Sequence, residues 1–177
     1  KKIEITSLRK DIAQKGRHTD ILFTEDWKVD AIRRDFTINA LYLTSEGKLI
    51  DYFDGLSDLK ENKIKFIGNI EKRINEDFLR IYRYFRFLGI FEEPNVIENY
   101  EDILNQYLIE SFNYLSNEII RNEILKMLKN PFPLNSFRNF HNPGKKYYWL
   151  EKITQHFLKQ KYQLGLEKCL NKVQEFF

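Results

Sequence analysis

The first third of the chain alternates short apolar runs with polar turns, a pattern typical of half-buried β-strands. Ile3 to Leu8 alternate apolar and polar positions and predict the first strand. Leu41 to Thr44 and Lys48 to Tyr52 flank a turn in which Gly47 can adopt a positive φ, which predicts a β-hairpin. The remaining strand candidates are Ile21 to Phe23 and Ile64 to Ile67. This part of the sequence therefore predicts a mixed α/β region.

From Ile70 onward, apolar positions recur at three- and four-residue spacing, as on one face of an α-helix. The clearest example is the set Phe78, Ile81, Phe85 and Leu88, with Gly89 as the helix stop. Three more helices are predicted at 96–109, 112–129 and 147–176. We therefore expect an α+β protein with a short mixed sheet at residues 1–68, followed by an all-helical part at residues 69–177.

Composition excludes several classes of protein. The chain has 177 residues, of which 15% are aromatic, whereas disordered chains carry few aromatic residues. Its apolar runs are too short for a membrane span, so no contact with a membrane is expected. The single cysteine, Cys169, excludes a disulfide framework and favours a reducing compartment. These features predict a cytoplasmic protein.

The net charge of +3 hides a strong asymmetry along the chain. Residues 91–120 carry seven acidic and no basic side chains, whereas residues 121–177 carry eleven basic and four acidic ones. Residues 60–90 are also basic, with eight basic against four acidic side chains. Basic blocks of this kind are the expected footprint of a polyanion such as RNA or a nucleoside triphosphate. A lysine-rich solvated surface explains the 121–177 block equally well.

The segment from Glu76 to Arg86 combines carboxylates with regularly spaced arginines. Its repeating positions, three residues apart, are Asp77, Arg80, Arg83 and Arg86. On a helix they form a stripe opposite the apolar positions, and a carboxylate beside a guanidinium can read the edge of a nucleobase. Glu76 precedes Arg80 by four residues and can hold it by an ion pair. Spacing alone favours a simpler interpretation, in which this is a solvated helix face with internal ion pairs.

A second polar cluster lies between Asp30 and Leu41. Adjacent side chains on a helix point about 100° apart, so Arg33 and Arg34 are expected to have different roles. One of them would contact a triphosphate, and the other would pair with an internal carboxylate, either Asp30 or Asp35. Thr37 and Asn39 can cap neighbouring backbone groups. Taken alone, such a cluster is more often structural than catalytic.

Taken together and in this order, the segments are more specific. The sequence resembles the bacterial (class II) tRNA nucleotidyltransferase and poly(A) polymerase family. The match runs through four segments: Ile3–Arg9, Asp30–Leu41, Leu49–Leu59 and Glu76–Phe87. A weaker match to the family's neck helix follows at Leu115–Glu118. The resemblance implies the later part of a nucleotidyltransferase head, followed by a helical neck and part of a body that binds RNA.

The resemblance also implies residue roles. Arg34 would contact the incoming nucleotide, and Asp77 with Arg80 would act as a protein template for its base. Two further arginines, Arg83 and Arg86, would belong to the same nucleotide-binding set. The supporting residues would be Glu76, Arg33, Asp35 and Asn39. The implied substrates are ATP and CTP, and the implied partner is the 3′ end of tRNA or another RNA.

The sequence also departs from the family. The glycine-rich start and the Asp-x-Asp pair that binds two magnesium ions precede the Ile3 strand in the family, and this chain contains neither. We therefore expect no catalytic or metal-binding residue in this chain, and expect Mg²⁺ to be bound by carboxylates outside it. Asp51 to Gly55 reads Asp-Tyr-Phe-Asp-Gly, where the family has Asp-Pro-Phe-Gly-Gly, and this could alter the flexibility of a linker.

Three functional hypotheses follow from these observations. The first is a template-independent RNA nucleotidyltransferase, present as a fragment or as half of a split enzyme whose active site an upstream polypeptide completes; the chain alone would be inactive. The second is an inactive remnant that still binds RNA or nucleotides. The third is a helical interaction protein whose arginines are merely solvated. Within the first, CCA addition and poly(A) addition remain open, with CCA addition favoured.

Overall fold

The computed structural model describes residues 6–15 and 18–140, together with positions 152 and 155; at 13–15 and 18–20 it describes the backbone alone. The chain divides into two compact units, Lys1–Glu76 and Asp77–Phe177. We call these the N-terminal unit and the C-terminal unit. The sequence predicts a domain boundary after residue 68, and the two units divide eight residues later, after Glu76. The assignment of the two parts to a head and a neck stays a prediction.

Within residues 6–15 and 18–76, the N-terminal unit contains two separate antiparallel strand pairs and three short helices. The strands are β1 (Arg9–Lys15) paired with β2 (His18–Phe23), and β3 (Leu41–Leu43) paired with β4 (Leu49–Asp51). The helices are α1 (Trp27–Ile32), α2 (Gly55–Lys60) and α3 (Ile70–Glu76), with a 3₁₀ turn at Thr37–Asn39. Gly47 has a φ of 82° in the β3–β4 turn, which confirms the predicted hairpin.

Two predicted strands differ from the structure. A strand is expected at Ile3 to Leu8, but residues 6–8 have no regular structure and residues 1–5 lie outside the described part. The first described strand, β1, begins at Arg9. Ile64 to Ile67 is not a strand, because it pairs with residues 35–37 through a single bridge between Phe36 and Phe66. Only two backbone hydrogen bonds flank this bridge, Thr37 N to Lys65 O and Ile67 N to Asp35 O, both 3.0 Å.

The core of the N-terminal unit lies beneath α1 and the β3–β4 hairpin. Ala31, Ala40 and Ile67 are buried together, with the rings of Tyr42 and Phe53 packed against them. Nearby, the buried rings of Phe36 and Phe66 meet edge to face at 4.8 Å between centroids. This packing anchors α1, the helix that begins the first predicted motif.

Helix α2 is anchored by the segment in which the sequence departs from the family. Asp51 accepts hydrogen bonds from the backbone N–H groups of Phe53, Gly55 and Leu56 at 2.9–3.1 Å. Burial opposes ionisation of Asp51, but these backbone hydrogen bonds hold its pKa below the ordinary value. Asp54, where the family has glycine, has a φ of 59°, a left-handed conformation that aspartate tolerates better than most residues.

In the described residues of the C-terminal unit, 77–140 with positions 152 and 155, the regular structure is helical. Between residues 77 and 140 the helices are α4 (Leu79–Leu88), α5 (Tyr100–Tyr114) and α6 (Asn117–Met127), with a 3₁₀ turn at Pro133–Ser136. Helix α4 matches the predicted apolar stripe and is capped by Gly89. The helix predicted at 96–109 is displaced to Tyr100–Tyr114, and the one predicted at 112–129 is shorter at both ends, at Asn117–Met127. The helix predicted at 147–176 lies outside the described residues except for positions 152 and 155.

Helix α4 is central to the C-terminal unit and is surrounded by α5, α6 and the 3₁₀ turn. Its side chains Ile81, Tyr82, Phe85 and Leu88 are fully buried. The Tyr82 hydroxyl lies 2.8 Å from the Ser111 hydroxyl on α5, so its buried polar atom has a partner. The combination of short two-stranded sheets and packed helices confirms the predicted α+β class.

Candidate nucleotide-binding site

Asp30 is the centre of the polar cluster on the N-terminal unit. Helix α1 begins at the N-cap Asp26, which accepts from the N–H groups of Lys28 and Val29 and so fixes the start of the helix. The carboxylate of Asp30, one turn later, is fully buried. Arg33 and Arg34 follow it by three and four residues, so both guanidiniums lie on its side of the helix.

The two carboxylate oxygens of Asp30 serve different partners. Oδ1 accepts from Arg33 Nε at 2.8 Å and Nη2 at 2.5 Å, and also from the backbone N–H of Arg9 at 3.2 Å. Oδ2 accepts from Arg34 Nε at 3.1 Å and Nη2 at 2.9 Å, and from the Tyr42 hydroxyl at 2.8 Å. The negative charge is thus compensated by two cations and two neutral donors, which a buried carboxylate requires.

The environment of Asp30 keeps it ionised. Burial alone would raise its pKa, but the hydrogen bonds from Tyr42, Arg33, Arg34 and the Arg9 backbone together lower the pKa to about 2. For Tyr42, burial and the hydrogen bond to Asp30 raise the pKa to about 12. Near neutral pH the cluster therefore holds one carboxylate, two guanidiniums and a neutral phenol.

The guanidinium of Arg34 binds three residues and still has N–H groups that bind no acceptor in the described part of the chain. Its Nε–H is shared between Asp30 and the Tyr42 hydroxyl, one Nη2–H binds Asp30, and one Nη1–H binds the Asn39 carbonyl at 3.1 Å. A guanidinium has five N–H donors, so one N–H on each terminal nitrogen has no acceptor among the described residues. With 34% of its side chain exposed, Arg34 can present these donors to an anion.

The structure does not show the expected division of roles between Arg33 and Arg34. Arg33 and Arg34 were predicted to separate, one pairing with a carboxylate while the other contacts a phosphate, yet both contact Asp30. The reason is that Asp30 lies at a spacing of both three and four residues, so each of its oxygens meets one guanidinium. Arg34 both pairs with Asp30 and keeps part of its side chain exposed to solvent.

The supporting residues Asp35 and Asn39 hold the turn after α1. Oδ1 of Asp35 accepts from the backbone N–H of Phe36 at 3.0 Å and from the side-chain amide of Asn39 at 2.9 Å. Thr37 donates its hydroxyl to the buried carboxylate of Asp58 at 2.7 Å. These contacts place the Asn39 carbonyl where Arg34 binds it. Thr37 and Asn39 thus bind side-chain carboxylates here rather than the neighbouring backbone groups that they are predicted to cap.

Arg73 on α3 is a member of this cluster that the sequence analysis did not single out. Its guanidinium is buried and donates to the backbone carbonyls of Arg33, at 2.7 Å, and of Arg34. It also forms an ion pair with Glu76. Because Arg73 lies about 40 residues from its two carbonyl partners, no local spacing reveals the contact. The one available signal was its position three residues before Glu76.

The C-terminal unit holds the remaining predicted site residues. Asp77 caps the start of α4, since its Oδ1 accepts from the Leu79 N–H at 2.9 Å. Arg80, in the first turn of α4, donates its backbone N–H to the carbonyl of Asp77, which lies two residues before the helix, at 3.1 Å. Only 8% of Arg80 is exposed, and a solvated position for this arginine is therefore wrong. The ion pair predicted between Glu76 and Arg80 stays a prediction.

Arg83 and Arg86 contact other parts of the C-terminal unit. The guanidinium of Arg83 lies 5.6 Å from the centroid of the Phe87 ring, and that of Arg86 lies 4.6 Å from it. Arg86 Nε also lies 2.8 Å from the buried carboxylate of Glu123 on α6. Lys126 contacts the second oxygen of this carboxylate at 2.5 Å. Arg86 thus links α4 to α6, and its predicted contact with a nucleotide remains a prediction.

Neither a metal site nor a membrane span emerges from the described residues. Within residues 6–15 and 18–140, no group of three or more acidic, histidine or cysteine side chains is placed to hold a metal ion. These residues therefore do not fit the Mg²⁺ that the resemblance implies. In the same part of the chain, no helix is long and apolar enough to cross a membrane.

Comparison with known proteins shows which family this chain resembles. Residues 1–65 match the family described as Poly A polymerase head domain. The chain is 53% identical over 92 residues to the human mitochondrial CCA tRNA nucleotidyltransferase 1, a match covering 51% of this chain and 21% of that protein. It is 36% identical over 143 residues to the CCA-adding enzyme of Lactobacillus johnsonii, covering 80% and 35% respectively.

Solved structures agree with these relatives. The Bacillus stearothermophilus CCA-adding enzyme in complex with CTP superposes with a TM-score of 0.62 at 28% identity, over 75% of this chain and 31% of that one. The Thermotoga maritima CCA-adding enzyme complexed with tRNA-CCA gives 0.53 at 34% identity, over 62% and 27%. The predicted resemblance to the tRNA nucleotidyltransferase and poly(A) polymerase family is therefore confirmed. The chain spans about a fifth to a third of the length of these curated relatives.

Proposed function

We propose that this chain supplies the nucleotide-selecting part of a template-independent RNA nucleotidyltransferase that adds C and A residues to tRNA 3′ ends. Its curated relatives are CCA-adding enzymes, and a structural relative was solved with CTP. A second was solved with tRNA, which supports tRNA as the partner. CCA addition is favoured over poly(A) addition because the relatives described above carry CCA-adding names.

The observation that carries the proposal is the arrangement of Arg34. Asp30, Tyr42 and the Asn39 carbonyl fix its guanidinium, and one donor on each terminal nitrogen remains for an external acceptor. A phosphate accepts two parallel N–H bonds from such a fork better than from an ammonium. Because the partners of Arg34 are in place before binding, little conformational entropy is lost when the phosphate arrives.

The base would be read by Asp77, just before α4, and Arg80, in the first turn of α4. Cytosine and adenine both present an amino donor beside a ring nitrogen acceptor, whereas guanine and uracil present a carbonyl at the amino position. One oxygen of Asp77 is occupied by the Leu79 N–H, and the other can accept from that amino group. Arg80 would donate to the ring nitrogen. One pair of side chains would thus accept both CTP and ATP.

The chemical step would need carboxylates that the described residues do not supply. We assign them to another polypeptide segment, either within a longer chain or in a separate upstream protein that carries the glycine-rich and Asp-x-Asp motifs. On this view the present chain selects the nucleotide, and the other segment binds the metal ions. Two-metal phosphoryl transfer requires both parts.

The test is labelled-nucleotide incorporation into tRNA that lacks its 3′ CCA. The chain would be assayed with Mg²⁺, CTP and ATP, alone and together with the polypeptide encoded immediately upstream. We expect no incorporation by the chain alone and incorporation of both C and A when the upstream polypeptide is present. Arg34→Ala should abolish most of the incorporation that the chain and the upstream polypeptide achieve together. The control is Lys48→Ala, which removes an exposed cation from the β3–β4 turn and should leave incorporation unchanged.

Three outcomes would contradict the proposal or its site assignment. Binding of CTP without incorporation, in the presence of a folded upstream polypeptide carrying Asp-x-Asp, would indicate an inactive nucleotide-binding remnant. Incorporation of A alone would indicate poly(A) addition. If Arg34→Ala and Arg80→Ala both left CTP affinity unchanged, the site assignment itself would be wrong.

A further inference from the structure

We infer that Arg73 is a positioning residue for nucleotide binding, which fixes the backbone of Arg33 and Arg34 and thereby the direction in which Arg34 presents its donors. The inference rests on the proposed function, because it acts through Arg34. Arg73 itself is not assigned a contact with the nucleotide.

The first argument is where Arg73 binds. Helix α1 ends at Ile32 with Arg33 as its C-cap, and the last carbonyls of a helix lack partners within it. The guanidinium of Arg73 donates from one terminal nitrogen to the carbonyls of Arg33 and Arg34. A cation at the carbonyl end of a helix is also favoured by the helix dipole. Arg73 therefore closes α1 at the residue that carries the proposed phosphate donors.

The second argument concerns what else holds Arg34. Its side chain binds Asp30, Tyr42 and Asn39, all within eight residues of it in sequence. Arg73 lies 39 residues away and is the long-range tie from the described part of the chain to the Arg34 backbone. A side chain can keep a fixed direction only if its own backbone is fixed, so the local ties alone do not set the orientation of the two remaining N–H groups.

The third argument is the second partner of Arg73. Its other terminal nitrogen pairs with Glu76, and Glu76 immediately precedes Asp77 in the sequence. One buried guanidinium thus contacts residues from both predicted motifs, the Arg33–Arg34 pair and the glutamate that opens the Glu76–Arg80 segment. Lysine cannot reproduce this, because an ammonium lacks the planar fork that reaches a carboxylate and two carbonyls at once.

The experiment is a double-mutant cycle on CTP affinity, measured by calorimetry on the full chain at a temperature where urea unfolding shows every variant to be folded. The variants are Arg73→Gln, Arg73→Lys, Arg34→Ala and the double variant Arg34→Ala with Arg73→Gln. The control is Lys72→Gln, which removes an exposed cation from the adjacent position of the same helix. Residues in one hydrogen-bonded network are expected to be non-additive, whereas independent sites add.

We expect Arg73→Gln to weaken CTP binding about tenfold, Arg73→Lys to weaken it less, and Lys72→Gln to leave it unchanged. In the Arg34→Ala background, Arg73→Gln should change CTP affinity by less than about twofold. A merely structural Arg73 would lower the free energy of unfolding and leave the affinity of the folded chain unchanged, and this result would overturn the inference. An equal loss of affinity in both backgrounds would overturn it as well.

Failure of the proposed function has a different signature. If the wild-type chain does not bind CTP, or if Arg34→Ala leaves its affinity unchanged, the site assignment fails and this inference fails with it. If Arg34→Ala weakens binding and Arg73→Gln does not, only the role of Arg73 is refuted.

Discussion

At the scale of single residues, Asp30 couples the stability of the N-terminal unit to pH. Its pKa of about 2 in the folded chain is below the value of about 3.9 for an unfolded aspartate. A carboxyl group with a lowered pKa stabilises the fold fully above its unfolded pKa, and this contribution is lost as the pH falls towards the folded pKa. From the size of this shift, ionised Asp30 contributes about 3 kcal/mol.

We predict that Asp30→Asn lowers the free energy of unfolding at pH 7 by about 3 kcal/mol, since two guanidiniums lose their buried counter-charge. The difference from the wild type should narrow between pH 4 and pH 2, where the wild-type carboxylate becomes protonated. Urea unfolding across this range measures both effects. The control is Asp26→Asn, because asparagine also caps a helix and Asp26 is exposed, so stability should change by less than about 0.5 kcal/mol. A difference between wild type and Asp30→Asn that does not vary with pH would contradict the assignment.

At the scale of elements, helix α2 depends on the absence of a side chain at Gly55. A Cβ atom there would lie 2.3 Å from the carbonyl oxygen of Thr37, and this oxygen belongs to the backbone and cannot rotate away. Gly55→Ala should therefore displace α2 from the Thr37–Asn39 turn and cost about 3 kcal/mol of unfolding free energy. Gly47→Ala is the matched control, since its φ is 82° but nothing lies within 4 Å, and strain alone should cost about 1 kcal/mol. Equal losses in the two variants, measured by urea unfolding, would show that the contact at Gly55 does not limit stability.

The sequence predicted secondary-structure elements that are set by residue type, but it did not predict helix ends that are set by the backbone conformation of a single residue. The β3–β4 hairpin follows from alternating apolar residues around Gly47, both visible in the sequence. The helices predicted at 96–109 and 112–129 are instead Tyr100–Tyr114 and Asn117–Met127. Asn99 has a φ of 66° and delays the first start, and Leu115 is extended and separates the two helices. Neither residue is a strong helix breaker by type.

The same limit applies to the site. The spacing predicted that either Arg33 or Arg34 pairs with an internal carboxylate, but it did not show that both pair with Asp30. It could not show that Arg80 is buried, because the burial of α4 depends on α5 and α6 packing around it. Nor could it reveal Tyr42 and Arg73, whose contacts with this cluster cross 8 to 40 residues. Sequence spacing predicts ion pairs between residues on one helix, whereas hydrogen-bond partners that are distant in sequence are visible only in the folded structure.

At the scale of the whole molecule, charge is segregated along the sequence. The acidic block at 91–120 contains all of α5, and the basic block at 121–177 begins within α6. A phosphate backbone would be repelled by the first and attracted by the second. The basic block includes Lys145 and Lys146, directly before Tyr147, Tyr148 and Trp149, all outside the described residues. Basic side chains next to aromatic rings are typical of surfaces that bind single-stranded RNA.

We predict that Lys145→Ala with Lys146→Ala weakens binding of tRNA uniformly, regardless of its 3′ sequence. Each lysine that neutralises a phosphate steepens the salt dependence of affinity by about one unit on a logarithmic plot, so the double variant should lower the slope by about two. The matched control is Lys10→Ala with Lys48→Ala, two exposed lysines in the block at 1–59, which has a net charge of −1. Affinity would be measured by fluorescence anisotropy with labelled tRNA at several salt concentrations. An unchanged slope in the Lys145 and Lys146 variant would mean that these lysines form a solvated surface, whereas a reduced slope in that variant alone would place the RNA backbone against the C-terminal block.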